Sequence, residues 1–495
     1  MSRKGEIDLT TSPILKGIIL FTLPIIATNL LQQCFNVADV IVVGQFCGDE
    51  SLAAVGSNGA IINLILVSLI GISVGLNIVM ARAVGRKDPV YANRAMHTSL
   101  LFAVTVGLVV AVLGFFLSGA ILSLTKLDPS IYDKAVLYLR VYFLGAPALM
   151  IYNFGAAALQ SKGDSKSSLV FMIAAGITNV GLNLLLVIVF NLDVLGVAIA
   201  TVVSETLSAT LIIIKLLREK DFSKLEFKKL RFYGRELKDV LKNGIPSMLN
   251  GMFFSISNVI IQTTVNNLGP LVTTANSVAQ NVETFVYNTV YAFHTTAVTI
   301  VSQNFGAGNF GRIKKSVGAL VSCITVSGLA MGLTLYALAG PMCGIFSPDP
   351  NVVPVAMVRM KYVMALEFMC GIMDCGAGCL RGLGYSTIAA IVSLLGACVF
   401  RIIWIYTAFA ANPTLDMLYM SYPISWALTI VAQFSILYFA YKKQKAQYFG
   451  KMRLLEAQRL SNAGQEEAGQ TQEDVKTSAE ESDCAQPEDK KQTNA

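Results

Sequence analysis

Charged residues collect in short clusters along this chain, and the stretches between them are apolar and mostly longer than 20 residues. About 20 apolar residues span a bilayer as a helix, so the pattern predicts an all-α membrane protein with about twelve transmembrane helices. The expected spans are 14–45, 52–84, 94–124, 132–160, 167–190, 194–217, 239–268, 272–305, 314–340, 353–382, 386–410 and 414–441. Their connections alternate in charge. One side carries Arg3, Lys4 and Lys16, Arg86, Lys87 and Arg94, Lys162 and Lys166, Arg312, Lys314 and Lys315, Arg381, and Lys442, Lys443 and Lys445. The other carries Asp49 and Glu50, Lys126 and Asp128, Asp193, Asp349 and Asp416. The positive-inside rule puts the basic side in the cytoplasm. Both termini then lie there, as an even number of spans requires, and the expected location is the plasma (inner) membrane, multi-pass.

The first half repeats in the second at a nearly constant shift. Pro24 returns as Pro246, Asn36 as Asn258, Ala54 as Ala275 and Gly85 as Gly306. Leu159, Gly163 and Ser165 return as Leu380, Gly384 and Ser386. A run of matches at one shift points to two homologous six-helix bundles, an architecture usual in transporters. Six spans is an even number, so both halves enter from the same side. The pseudo-two-fold axis is then expected along the membrane normal. The expected organisation is a first lobe over 1–217, a basic cytoplasmic linker over 218–238, a second lobe over 239–445 and an acidic tail over 446–495.

Composition sharpens this in three places. Charged residues make up only 14% of the chain, against about 25% in a soluble domain. The nine cysteines lie mostly inside apolar stretches and form no CxxC pair, so they are expected to be packing residues, with neither disulfides nor zinc. Residues 461–495 hold nine acids against three lysines and almost nothing apolar, which predicts disorder.

The N-x-x-D motif ending at Asp39, SQNFGAG at 302–308 and LRGLG at 380–384 resemble the multidrug and toxic compound extrusion (MATE) family. The likeness covers about residues 10–445. It implies a two-lobed, MOP-like exporter that expels organic cations or drugs in antiport with H⁺ or Na⁺ by rocker-switch alternating access. No enzyme activity and no cofactor beyond the coupling ion are expected. The implied partners are small organic cations and membrane lipids, with no nucleic acid, and a monomer suffices because one chain supplies both lobes.

Charge inside a bilayer costs about 2.5–3.5 kcal/mol on insertion scales, so each intramembrane acid needs a reason. There are five: Asp39, Glu205, Glu283, Glu367 and Asp374. None falls on an acid in the other copy, which suggests work done by one lobe only. Asp39 is the leading candidate. Asn179 and Asn183, four apart on one helical face, and Thr201 are its expected companions. In the family that the chain resembles, the matching positions form the first lobe's cation site. Some members have an acid where Asn183 stands, which leaves H⁺ and Na⁺ both open here. In the second lobe Glu283, Glu367 and Asp374 compete, with Arg401 able to neutralise Glu367 or Asp374. Glu205 has no evident role. His294 lies deep enough to contact cargo or a proton, whereas His97 reads as interfacial. Pro24, lacking an N–H, is a candidate hinge.

Two other functions share the architecture. A lipid or lipid-linked oligosaccharide flippase of the same superfamily would need a basic cavity, and the intramembrane charge here is mostly acidic. A major-facilitator carrier would carry a D-R-x-G-R run after its second span, and this chain has ARAVGRKD without the leading Asp. An intramembrane enzyme is disfavoured by the absence of a Ser–His pair or an HExxH motif.

Overall fold

The computed structural model describes residues 6–125, 127–347 and 349–483. Arg3, Lys4, Lys126 and the end of the tail, 484–495, lie outside them. Among the described residues there is no strand, and the first half contains α1 (Ile14–Phe46), α2 (Asp49–Arg86), α3 (Pro89–Ser123), α4 (Pro129–Leu144), α5 (Ala146–Ser161), α6 (Lys166–Asn183) and α7 (Asp193–Arg218). The second contains α8 (Gly234–Asn266), α9 (Pro270–Gly306), α10 (Phe310–Ala337), α11 (Ala339–Phe346), α12 (Val352–Tyr362), α13 (Glu367–Gly382), α14 (Ser386–Ser393), α15 (Phe400–Trp404) and α16 (Leu415–Asp483).

Ten of these rods are long and apolar enough to cross a membrane, and the bent pair α4–α5 makes an eleventh. The remaining expected span, α9, is 37 residues long but carries Thr, Asn, Gln and Ser along its length. Protein rather than lipid explains that polarity: α9 packs against α1, α2, α10, α12 and α13, and most of its basic-end half is buried. Side chains such as Leu113, Phe116 and Val326 remain exposed on α3 and α10, as lipid-facing residues must be.

The repeat is written into the backbone. A π-helical segment follows α6 at Leu184–Val189, and another stands at the matching place, Ile405–Phe409. The fourth rod breaks at Gly145 and the tenth at the 3₁₀ turn Met364–Leu366. Gly163 and Gly384 share φ 99° at the turns after α5 and α13, a left-handed conformation that glycine adopts without a Cβ penalty. Pro24 and Pro246 both lie inside helices that continue through them.

At the basic ends of the rods the halves close on one another through reciprocal contacts. A Cβ on Gly85 would collide with the backbone carbonyl of Gln303, and a Cβ on Gly306 with that of Arg82. Only glycine lets α2 and α9 approach this closely. Alongside, Arg82 Nη2 and Nε donate to the carbonyls of Arg381 and Gly382 at 2.7 and 3.2 Å. Gln303 Nε2 donates to the carbonyl of Ser161 at 2.7 Å. Each half thus caps the end of a helix in the other.

The segments leading into α1 and α8 are pinned crosswise. Ile7 N donates to the Gly163 carbonyl at 3.2 Å. The buried Leu9 offers its carbonyl to Asn304 Nδ2 at 3.1 Å and Arg312 Nε at 3.0 Å, both from the second half. Arg312 Nη2 also donates to the Ser12 carbonyl. In the linker, Asn93 Nδ2 donates to the Phe222 carbonyl at 2.6 Å, and Glu226 N donates to His97 Nε2 at 3.0 Å. Thr98 bridges the Arg231 carbonyl and Tyr233 N at 3.1 and 3.0 Å. His97, expected at the interface, is buried, and its job is to hold the linker. Lys162 anchors the same region: its Nζ lies 3.0 Å from Glu6, 3.2 Å from Glu219 and 3.3 Å from Asp221. Those three acids have metal-ligand spacing, but the amine already stands among them.

A second unit begins at Tyr441. It differs from the sequence expectation, because helix rather than disorder runs as far as Asp483. A segment that cannot bury a core can still bond its own backbone. Glu, Gln, Ala and Lys dominate here, all good helix formers, and no proline intervenes before Pro487.

Candidate functional site

A central cavity of about 330 Å³ lies between the halves, walled by α1, α2, α5, α6 and α9. Its polar lining is neutral: Asn29, Gln32, Asn36, Asn77, Gln160 and Asn288 among others, with no Lys, Arg, Asp or Glu among the described residues. A smaller pocket of about 120 Å³ opens beside it within the first half and shares Gln32, Asn36, Ile70, Tyr152, Asn153 and Met172 as common wall. The smaller pocket holds the carboxylates of Asp39 and Glu205, together with Asn179, Thr201, Ser204 and Ser208.

The expected cluster around Asp39 is assembled. Asn183 Nδ2 donates to Asp39 Oδ1 and, at 3.3 Å, to Asn179 Oδ1. The four-residue spacing on α6 brings the two amides together, and α1 packs against α6 to deliver Asp39. Gly176 makes that packing possible, since a Cβ there would overlap the ring of Phe35 on α1. Asn183 is fully buried, yet its Oδ1 accepts no hydrogen bond. Thr201 faces the pocket and spends its hydroxyl proton on the Val197 carbonyl at 3.0 Å, which leaves lone pairs on its oxygen. The site therefore offers one carboxylate and several neutral oxygens, a set able to hold Na⁺ or to carry a proton on Asp39.

The second half is arranged differently from expectation. Glu283 does not line either cavity. Its carboxylate is clamped by Arg359 through two bonds, Nε–Oε2 at 2.9 Å and Nη2–Oε1 at 3.1 Å. Arg359 Nη1 donates to Asn276 Oδ1 at 2.9 Å, and Tyr419 OH joins it there at 2.9 Å. This arginine was missed in the sequence, although it stands inside the tenth apolar stretch, where a cation needs a partner as much as an acid does.

Arg401, expected to neutralise Glu367 or Asp374, forms no ion pair with either among the described residues. Its guanidinium lies over the Tyr422 ring at 4.0 Å, and its Nε donates to Ser425 Oγ at 2.9 Å. The rings of Tyr422 and Trp426 face it in cation–π contact, and its buried Nη2 is left without a hydrogen-bond partner. Glu367 is buried with Oε2 unpartnered.

His294 lines the central cavity, but both ring nitrogens are engaged. Nδ1–H donates to the Asp374 carbonyl at 2.8 Å, and Nε2 accepts from Arg381 Nη1 at 2.9 Å. That pattern fixes a neutral ring stacked on Tyr291, so His294 serves as cavity wall here. Of the tyrosines, Tyr152 and Tyr291 face the cavity, whereas Tyr138, Tyr142 and Tyr287 do not.

Comparison with known proteins gives this geometry a context. The MatE family matches twice, over residues 24–185 and 246–407, the same repeat read from single residues. The chain is 23% identical over 437 residues to the "Probable multidrug resistance protein YoeA" of Bacillus subtilis (strain 168), covering 86% of this chain and 94% of that one. It is 23% identical over 400 residues to the "Multidrug export protein MepA" of Staphylococcus aureus (strain N315), covering 80% and 88%. A solved structure described as the outward-facing conformation of a multidrug resistance MATE family transporter superposes with a TM-score of 0.84 at 18% identity, covering 90% of this chain and all of that one. A MOP superfamily transporter from Pyrococcus furiosus Vc1, reported with a binding pocket of reverse polarity, gives the same TM-score and identity. With both halves matched and the fold shared across nine-tenths of its length, this helical membrane protein belongs to the MATE family of efflux transporters.

Proposed function

We propose that the protein exports organic cations in exchange for H⁺ or Na⁺, with Asp39, Asn179, Asn183 and Thr201 as the coupling-cation site. One observation carries this reading. Asp39 faces a pocket that contains no protein cation, and the buried Asn183 Oδ1 beside it is left without a donor. A cation among these oxygens would satisfy both.

The positive-inside reading makes the closed basic end cytoplasmic, so this conformation corresponds to an outward-facing member of a rocker-switch cycle. Separating α2 from α9 would break the reciprocal caps of Arg82 and Gln303 and open the opposite face. Pro24 sits on α1, which carries Asp39 and borders both α6 and α9, so it is suited to pass cation occupancy to the halves. A lipid-phosphate cargo is not favoured, because neither cavity is lined by Lys or Arg.

The test is ethidium transport in inverted vesicles, driven separately by a pH gradient and a Na⁺ gradient. Wild type should respond to one of them. Asp39→Asn keeps size and hydrogen bonding but cannot carry charge, and should abolish driven efflux at wild-type expression. Normal efflux from Asp39→Asn would remove it from coupling.

A further inference from the structure

Glu205 had no role assignable from sequence, yet it shares the first-lobe pocket with Asp39. It lies on α7 four residues after Thr201, on the same helical face. Among the described residues its carboxylate makes no hydrogen bond and no ion pair. One oxygen rests beside Gly145, at the break between α4 and α5, where a Cβ would come within 2.8 Å of Oε2. The small residue therefore leaves room for this carboxylate.

The two cavities together present a polar but uncharged vestibule leading to a recess with two carboxylates. No Lys or Arg lines either space, and His294 is held neutral by Arg381. Two acids facing one confined space at this cost in desolvation call for compensating charge from outside the protein. Asp39 has the Asn179–Asn183 amides and Thr201 around it, oxygen ligands suited to a small bare cation or a proton. The Glu205 surroundings are different. Leu149, Met172, Tyr152, Phe35 and Ile70 give the same recess apolar and aromatic wall, which accepts a bulky cation with its charge spread over rings.

We propose that Glu205 is a second cation-binding carboxylate, which anchors the positive head of a lipophilic organic cation while Asp39 takes the coupling ion. This rests on the antiport reading above and adds to it a cause for exchange. Cargo and coupling ion compete because both carboxylates line one recess, where two positive charges repel one another and a bulky head group crowds the ion. Asp39 alone would require coupling to travel through a change of shape. Two carboxylates in one recess allow direct displacement.

The experiment is equilibrium binding of ethidium to the purified full-length protein in nanodiscs, read by fluorescence, with and without Na⁺ and at two pH values. Glu205→Gln should weaken ethidium by about tenfold or more, the loss of one charge-assisted contact. Asp39→Asn should remove the competition by H⁺ or Na⁺. Gly145→Ala displaces the Glu205 carboxylate without changing its charge. It should give a smaller loss, which keeps the test open if Glu205→Gln fails to fold. Ethidium affinity unchanged in both Glu205→Gln and Gly145→Ala would overturn the proposal. So would Asp39→Asn abolishing ethidium binding outright while Glu205→Gln leaves it intact. Failure of wild-type vesicles to move ethidium under either gradient would instead sink the antiport reading, and the binding data would separate the two.

Discussion

Gly85→Ala is the smallest change that tests how the basic end is held shut. The new methyl would lie well inside contact distance of the Gln303 carbonyl oxygen, and roughly 1 Å of retreat is needed to restore the 3.0 Å that real Cβ atoms keep. The obstacle is backbone on both sides, so no rotamer can relieve it. A 1 Å separation of α2 from α9 carries the 2.7 Å Gln303–Ser161 bond and the 2.7 and 3.2 Å bonds of Arg82 beyond hydrogen-bond range. One neutral bond is worth about 1 kcal/mol and two charge-assisted bonds about 1.5 kcal/mol each. Their loss disfavours the closed state by about 4 kcal/mol, or roughly a thousandfold in population. Ser302, fully buried next to Gln303, reports on this. In a background cleared of native cysteines, Ser302→Cys should react with an impermeant maleimide supplied from the basic side. The rate should rise by orders of magnitude when Gly85→Ala is added. Rates that agree within twofold would show that the glycine contact does not hold this end closed.

Two further outcomes follow from buried charge. Arg359→Ala strands Glu283 and should lower the second half's stability by about 3–5 kcal/mol. It should be visible as a depressed Tm in detergent, with Arg359→Ala/Glu283→Gln recovering much of the loss, and an unchanged Tm would refute the clamp. The Lys162 anchor should be insensitive to pH near neutrality. Burial alone would lower the Lys162 pKa, but Asp221, Glu6 and Glu219 outweigh it and raise the value above 10.5. That stabilisation is complete below pH 10.5 and disappears as pH rises through the higher folded value. Burial alone would raise the Asp221 pKa, but Ser223 and Lys162 bring it below 3.8, so its share disappears only as pH falls under that value. Limited proteolysis in the linker should therefore stay flat from about pH 7 to about pH 10 and accelerate above it, and it should also accelerate on acidification, because a protonated His97 can no longer accept from Glu226 N.

Much of the fold was legible because lipid enforces it. Long apolar stretches, a constant shift between copies and charge at the connections each left a local trace in the sequence, and the spans followed. The Asp39 pocket was legible in part, since Asn179 and Asn183 are one helical turn apart and an acid in lipid advertises itself. Glu205 stands at the same spacing from Thr201, but spacing alone names no partner for a lone acid. The Glu283–Arg359 clamp was not legible as a pair: its partners are 76 residues apart and on different rods, and only packing decides which acid an intramembrane arginine meets. Arg401 shows the converse. It lies against the rings of Tyr422 and Trp426 where a carboxylate was expected, and aromatic residues are too common in apolar spans to mark themselves as its neighbours.

The crosswise pinning of the two lead-in segments also bears on ancestry. The arm before α1 is gripped by α9 and α10 of the second half, and the arm before α8 by α3 of the first. This is the exchange by which two identical six-helix chains would clasp one another as a dimer. Duplication and fusion would have preserved the clasp and merely added the covalent join. The linker's peptide bond is then a record of history more than a structural tie. A nick at the exposed pair Lys228 and Lys229 would leave two polypeptides still embracing.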